Sequence, residues 1–246
     1  MPLIEVCVDT VESALAAQAG GADRVELCNN LFEGGTTPSA GAMALARECL
    51  RIGLHVIIRP RGGDFLYTDL EFAIMRRDIE TAKELGADGV VIGLLTADGD
   101  VDVERTRQLV ELARPLSVTF HRAFDVAREP FAALETLIEL GVDRLLTSGQ
   151  EESVMEGAEL IAELVRRAGG RIVVMPGGGF TARNIARLVA QTGANEVHVT
   201  GFAGVESKMR YRNERVFMGG TLRPPEYARA VTDAGVVKTL KQASNG

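Results

Sequence analysis

The sequence predicts a single (β/α)8 barrel spanning residues 1–246, and three observations carry that expectation. Short β-branched runs alternate with longer amphipathic stretches, eight such runs occur, and a glycine-centred motif stands before every second one. Alternating β and α segments build a parallel sheet, and eight units favour closure into a barrel over an open sheet.

The expected strands are Ile4–Val8, Arg24–Cys28, His55–Arg59, Gly89–Gly93, Ser117–His121, Arg144–Ser148, Ile172–Pro176 and Glu196–Thr200. Between them, Ser13–Ala19, Phe72–Leu85, Val103–Ala113, Phe131–Leu140 and Met155–Ala168 place apolar residues at helical spacing. Two more helices are expected, one around Leu45–Leu50 and one at Thr181–Leu188. The recurring motif reads Gly21-Ala22-Asp23, Gly86-Ala87-Asp88, Gly141-Val142-Asp143 and Gly193-Ala194-Asn195. Glycine suits the left-handed cap that ends a helix, and Asp or Asn suits the tight turn into the next strand. Asp9 with Glu12 reads as a capping box, and Thr37 before Pro38 as an N-cap. The segments Asn29–Thr37, Gly62–Leu70 and Gly201–Gly220 exceed a minimal turn, and each follows a strand, at the face where barrel enzymes carry their sites.

Composition narrows the function classes. With 27 basic against 34 acidic residues the net charge is −7, and no Lys/Arg-rich run exists to hold nucleic acid. No apolar run reaches membrane-spanning length, and the start Met1-Pro2-Leu3-Ile4 has no signal-peptide pattern. The three cysteines, Cys7, Cys28 and Cys49, form no CxxC pair, which points to free thiols in a reducing compartment. A cytoplasmic protein without nucleic-acid or membrane partners is the expectation.

Period-two alternation then sorts the strand residues. Glu5/Cys7, Glu26/Cys28, Arg59/Arg61, Thr119/His121 and His198/Thr200 share one side of their strands, and the apolar residues between them share the other. The apolar side belongs against the helices, so the polar side faces the barrel axis. A buried charged set must pair internally, and Glu5, Glu26 and Arg59 are the expected partners. Cys7 and Cys28 fall near the ends of adjacent strands, where two thiolates suit the soft ion Cu(I), although buried free cysteine is also ordinary core packing. Cys49 reads as a packing residue. The turn Gly177-Gly178-Gly179 suits an anion held by backbone N–H groups, or simply a tight βα connection. Arg59, Arg61 and Asp64 surround a flexible turn and offer guanidinium forks for a carboxylate or phosphate. His121, followed by Arg122 and Asp125, and His198 add titratable groups at the same face.

These motifs in combination resemble the CutC family, associated with copper homeostasis. The resemblance rests on Glu5-Val6-Cys7-Val8-Asp9, Arg24-Val25-Glu26-Leu27-Cys28, the run 33–39, Arg59-Pro60-Arg61-Gly62-Gly63-Asp64-Phe65, the run 119–125, Leu146-Thr147-Ser148-Gly149 and Met175-Pro176-Gly177-Gly178-Gly179. It implies a barrel, a cytoplasmic homo-oligomer such as a dimer, and Cys7 and Cys28 as Cu(I) ligands.

Two functions therefore stand side by side. In the first, the chain is a copper homeostasis protein whose two thiolates hold Cu(I) at the barrel mouth. In the second, it is an enzyme or binder of a small anionic, phosphorylated metabolite. Gly177, Gly178, Gly179, Arg59, Arg61 and Asp64 would then hold the anion, and Glu26 or His121 would serve as acid or base. A scaffold role draws little support from so charged an axis.

Overall fold

Side-chain alternation sets the architecture of the computed structural model, which describes residues 2–213, 215 and 228–244. In chain order the elements are β1 (Leu3–Val8), α1 (Val11–Ala19), β2 (Arg24–Leu27), α2 (Ala40–Cys49), β3 (Gly53–Ile57), α3 (Asp69–Glu84), β4 (Gly89–Ile92) and α4 (Val103–Ala113). There follow β5 (Ser117–Phe120), α5 (Pro130–Glu139), β6 (Arg144–Thr147), α6 (Ala158–Ala168), β7 (Val173–Pro176), α7 (Ile185–Thr192) and β8 (Glu196–Val199). An antiparallel hairpin of β9 (Phe202–Glu206) and β10 (Ala228–Thr232) precedes α8 (Ala234–Ala243). The first eight strands pair in parallel in the order β7-β6-β5-β4-β3-β2-β1-β8, which is the expected (β/α)8 barrel. Between β7 and β8 the sole pairing among the described residues is one bridge, Gly177 to His198, so the barrel closes on a narrow seam.

The outward residues Ile4, Val6, Val25, Leu27, Leu54 and Val56 are fully or almost fully buried and belong to one core shared with the helices. Inward-facing Cys7, Cys28, Ile57 and Val91 form a separate small cluster inside the barrel. The two-residue period has thus separated an oily shell from a polar axis.

The recurring glycine–aspartate motif does more than end helices. All four glycines take positive φ, from 70° to 90°, as a left-handed turn requires. Asp23, Asp88 and Asp143 then each reach back to the preceding strand and accept the backbone N–H of Ile4, Leu54 and Val118, at 2.8, 2.8 and 2.7 Å. Each also pairs with a cation: Asp23 with Lys241, Asp88 with Arg47 and Asp143 with Arg114. The motif thereby clips β1 to β2, β3 to β4 and β5 to β6 at their N-terminal ends. Asn195, in the fourth copy, makes no such side-chain bond among the described residues, and a cavity of about 140 Å³ opens beside it at the base of the β7–β8 seam.

Several local expectations need correction. Helix α1 is capped by Thr10, which accepts from Ser13 N, rather than by Asp9, because the strand ends at Val8 and the turn consumes one more residue. Helix α2 is capped by Ser39 rather than Thr37, whose hydroxyl is committed to the backbone N–H of Arg59 at 3.0 Å. Helix α7 begins at Ile185, four residues later than expected, because Thr181 N–H bonds to the Asn184 side chain and holds a turn there. The capping box lies at α3, between Thr68 and Glu71. The long segment after β8 is the hairpin; residues 214 and 216–220 of it lie outside the described residues.

Removing a clip should cost far more than removing its silent counterpart. Asp143→Ala strands the Val118 N–H and is expected to lose about 1–3 kcal/mol, whereas exposed Asn195→Ala should stay within about 0.5 kcal/mol. Urea midpoints at unchanged m-value measure both, and equal losses would show that the clips contribute nothing.

Candidate functional site

The axis is built in layers. Its floor is an ion-pair network in which Arg24 bonds Glu5 and, at 2.6 Å, Glu196, while Arg144 grips Glu196 with two bonds of 2.6 and 3.1 Å. Two guanidinium groups against two carboxylates leave the layer neutral, which is the condition for burying ions at all. Burial by itself would raise the pKa of Glu5, but Arg24 and then His198 override it and hold the carboxyl well below the usual range.

Above the floor lies the thiol layer. Glu5 turns its second oxygen to His198 Nδ1 at 2.8 Å, which fixes the ring and leaves Nε2 facing Glu26 at 3.7 Å. Cys7 Sγ stands 3.7 Å from Cys28 Sγ, and Cys28 in turn lies 3.4 Å from Glu26 Oε2. One donor atom from each of Cys7, Glu26 and His198 falls within 4.8 Å of the other two, the one such cluster of possible metal ligands among the described residues. Burial disfavours a charged His198, yet its hydrogen bonds to Cys7 and Glu5 raise its pKa well above the ordinary imidazole value. Cys7 moves the other way: the hydrogen bond with Cys28, assisted by His198, brings its pKa well below the ordinary thiol range against the effect of burial. The same bond and burial push Cys28 far up, and burial followed by the Cys7 charge raises Glu26. These shifts favour the charged forms of Cys7 and His198 and the uncharged forms of Cys28 and Glu26.

Two further imidazoles face the axis from β3 and from the end of β5, and glycines at the start of β4 and just past its end make room for them. A Cβ on Gly89 would stand 2.5 Å from His55 Nε2, and one on Gly93 would stand 2.2 Å from His121 Cε1. Burial lowers the pKa of His55 to about 4 and that of His121 to about 3, the latter with help from Arg59, so both rings are neutral at pH 7. Ala123 N–H donates to His121 Nδ1 at 3.1 Å, which leaves the proton of the neutral ring on Nε2.

The predicted residues separate into two groups. Cys7, Cys28, Glu26, His121 and His198 gather at the C-terminal mouth, and a cavity of about 290 Å³ touches Cys7, Glu26, Arg59, His121, Arg122 and His198. A second chamber of about 250 Å³ shares Cys7, Arg122 and His198 with it and reaches Gly178 and Gly179, while Gly177 forms the bridge to β8. Arg61 and Asp64 stay outside: Arg61 bonds Glu71 at 2.6 Å and Asp64 at 3.0 Å, bracing the start of α3. The expected pair of Arg59 with Glu5 or Glu26 is corrected. The Arg59 guanidinium donates instead to the carbonyls of Glu33, Gly35 and Gly63, because two loops close over the end of β3 and supply acceptors nearer than the carboxylates. Asp125 is likewise scaffold, accepting from Thr147, Ser148 and Gln150. Cys49 lies half-buried on α2.

Sequence reasoning missed Arg24, His55, Arg144 and Glu196. For three of them the signal was available, since Arg24, His55 and Glu196 lie an even number of residues before the inward positions Glu26, Arg59 and His198 on their strands; for Arg144 no inward position had been assigned on its strand.

The three histidines make an internal test. In ¹H–¹³C spectra His198 should titrate above the ordinary midpoint of about 6.5, while His55 and His121 stay neutral down to about pH 4 and 3. The unfolded chain takes up those two protons near 6.5, so acidification from 6.5 toward 4 should lower stability through them. The His198 contribution has the opposite sign: complete below 6.5 and lost as pH rises through its folded midpoint. Three coincident titrations near 6.5 would overturn these environments.

Comparison with known proteins agrees with this architecture. The CutC family model matches residues 2–203. A CutC protein of Chromobacterium violaceum is 58% identical over 98% of this chain and 97% of its own length. The human copper homeostasis protein cutC homolog is 53% identical over 97% of this chain and 87% of its own. The crystal structure of a CutC from Streptococcus agalactiae superposes with a TM-score of 0.78 at 39% identity, covering 81% of this chain and 98% of that one. A phosphoribosylanthranilate isomerase from Pyrococcus furiosus shares the fold alone, at 13% identity and a TM-score of 0.60. The barrel, its inward polar residues and these relatives together show that the chain belongs to the CutC family.

Proposed function

We propose that the chain serves copper homeostasis by binding Cu(I) through the thiolates of Cys7 and Cys28. The human and mouse relatives carry the description copper homeostasis protein, and the family supplies the general role. The observation that supports the finer reading is the sulfur pair itself. Metal–thiolate bonds run to about 2.3 Å, so sulfurs up to about 4.6 Å apart can share one ion, and these two stand 3.7 Å apart.

The surroundings suit a soft monovalent cation. Sulfur prefers Cu(I) to the hard ions that a carboxylate cluster would select. His198, held by Glu5, offers an imidazole beside Cys7, and the orienting carboxylate is the kind of outer partner that metal-binding histidines use. Cys7 and Cys28 are 8% and 2% exposed, so an ion held there would be screened from solvent oxidants.

Competition against a colourless Cu(I) chelator under reducing conditions tests the reading. Cys7→Ser and Cys28→Ser should each weaken binding by at least about a hundredfold, the effect of exchanging a soft ligand for a hard one, and Cys49→Ser should bind as the parent does. Equal affinity in all four proteins rejects the site.

A further inference from the structure

The copper reading uses two sulfurs and leaves much of the mouth unexplained. Eight buried side-chain polar atoms lack a hydrogen-bond partner among the described residues, and three of them belong to walls of one cavity: Glu26 Oε1, Arg59 Nε and His121 Nε2. Their residues are 3%, 5% and 5% exposed. A buried polar atom without a partner costs about 1–3 kcal/mol, and native proteins leave few of them. A soft ion on the thiols would satisfy none of the three.

Their chemistry is complementary to a particular class of compound. Arg59 Nε carries a proton, and so does His121 Nε2, whose tautomer is fixed by the Ala123 N–H on the opposite nitrogen. Two donors, one on a permanent cation, suit an oxyanion. Glu26 Oε1 supplies an acceptor within the same cavity, which suits a hydroxyl. At the rim, Arg122 gives its Nε to Asp125 at 2.6 Å and Nη2 to Ser148 at 2.6 Å, and its Nη1 faces Gly178, where a Cβ would approach to 3.4 Å. Ile57, Phe65 and Leu146 add an apolar side, and Cys7, His198, Glu33 and Gly34 complete the lining. A cavity of about 290 Å³ lies at the small end of ligand sites and has no room for a dinucleotide.

From these walls we propose that the mouth binds a small hydroxylated anion, a compound of a few carbons bearing a carboxylate or phosphate beside a hydroxyl, between Arg59, His121, Glu26 and Arg122. The ring of Phe65 stands 5.1 Å from the Arg59 guanidinium and 5.1 Å from the His121 ring, packed against both groups. Binding displaces it, and Gly62-Gly63, the two residues ahead of Asp64 in the same loop, supply the backbone freedom for that movement. The proposal stands independently of copper, since it uses neither sulfur.

Metal-free, reduced protein labelled with ¹⁵N and ¹³C tests it, with glycolate and glycerol 3-phosphate as probes and acetate and glycerol as controls. Either hydroxylated anion should shift the His121 Nε2 and Phe65 ring signals saturably at millimolar concentration, and the arm that binds tighter distinguishes carboxylate from phosphate. Acetate and glycerol should bind at least tenfold more weakly. His121→Phe and Arg122→Met should each weaken the better probe about tenfold; the rim variant keeps the test open if the buried one does not fold. Because the titration uses metal-free protein, its failure leaves the copper reading untouched, and failure of the Cu(I) competition leaves this inference standing. No shift with either hydroxylated anion in folded parent protein, equal shifts with acetate, or full binding in both the His121 and Arg122 variants overturns it.

Discussion

Glu5 is fully buried and divides its carboxylate between Arg24 on one side and His198 on the other. The division matters because it links two layers that would otherwise be independent. Through Arg24 the carboxylate belongs to the neutral floor; through His198 it fixes which ring nitrogen faces the thiols. A carboxylate held ionised by a guanidinium favours an imidazolium next to it, and that imidazolium favours a thiolate at Cys7. Remove the Arg24 contact and the sequence of charges above it loses its anchor. The electrostatics of the thiol layer are therefore set in the layer beneath it.

The neutral side of the barrel obeys the same logic with the opposite outcome. His55 and His121 are buried as deeply as His198, but neither ring has a carboxylate at hydrogen-bonding distance, so burial favours their neutral forms. Gly89, at the start of β4, and Gly93, just past its end, leave them space. One face of the axis favours a charged thiol–imidazole pair and the other favours neutral rings. Arg59 marks the boundary: its charge is spent on three loop carbonyls rather than on the carboxylates, so it clasps the mouth instead of neutralising it.

Much of this was legible in the sequence. Eight strands, their parity and the convergence of Cys7, Cys28, Glu26, His121 and His198 followed from a period of two, which a parallel barrel enforces because one side must meet oil. What did not follow was partner choice. Glu5 could pair with Arg24 or Arg59 by charge alone, and the choice is made by the β1–β2 register, which sets Glu5 opposite Arg24. Arg61 and Asp64 failed to reach the cavity because they lie beyond the last strand residue, where alternation no longer dictates direction and a capping glutamate can claim the side chain. Helix starts failed for a similar reason: several hydroxyls and carboxylates compete within three residues, and the tertiary bond of Thr37 to β3 decided one of them.

The single bridge between Gly177 and His198 gives the barrel a direction of weakness. Three quarters of the wall are riveted by aspartates, and the fourth, with asparagine and a cavity at its base, is merely leaned together. The residue at the top of that gap is the same histidine that faces the thiols. An occupant grasping His198 and Cys7 at once would fix the β8 side of that gap against β1, to which β8 is already paired, and leave β7 as the freer stave of the cask. Occupancy would then be felt as a change in the breathing of the whole wall, on the side of the molecule opposite β3 and β4.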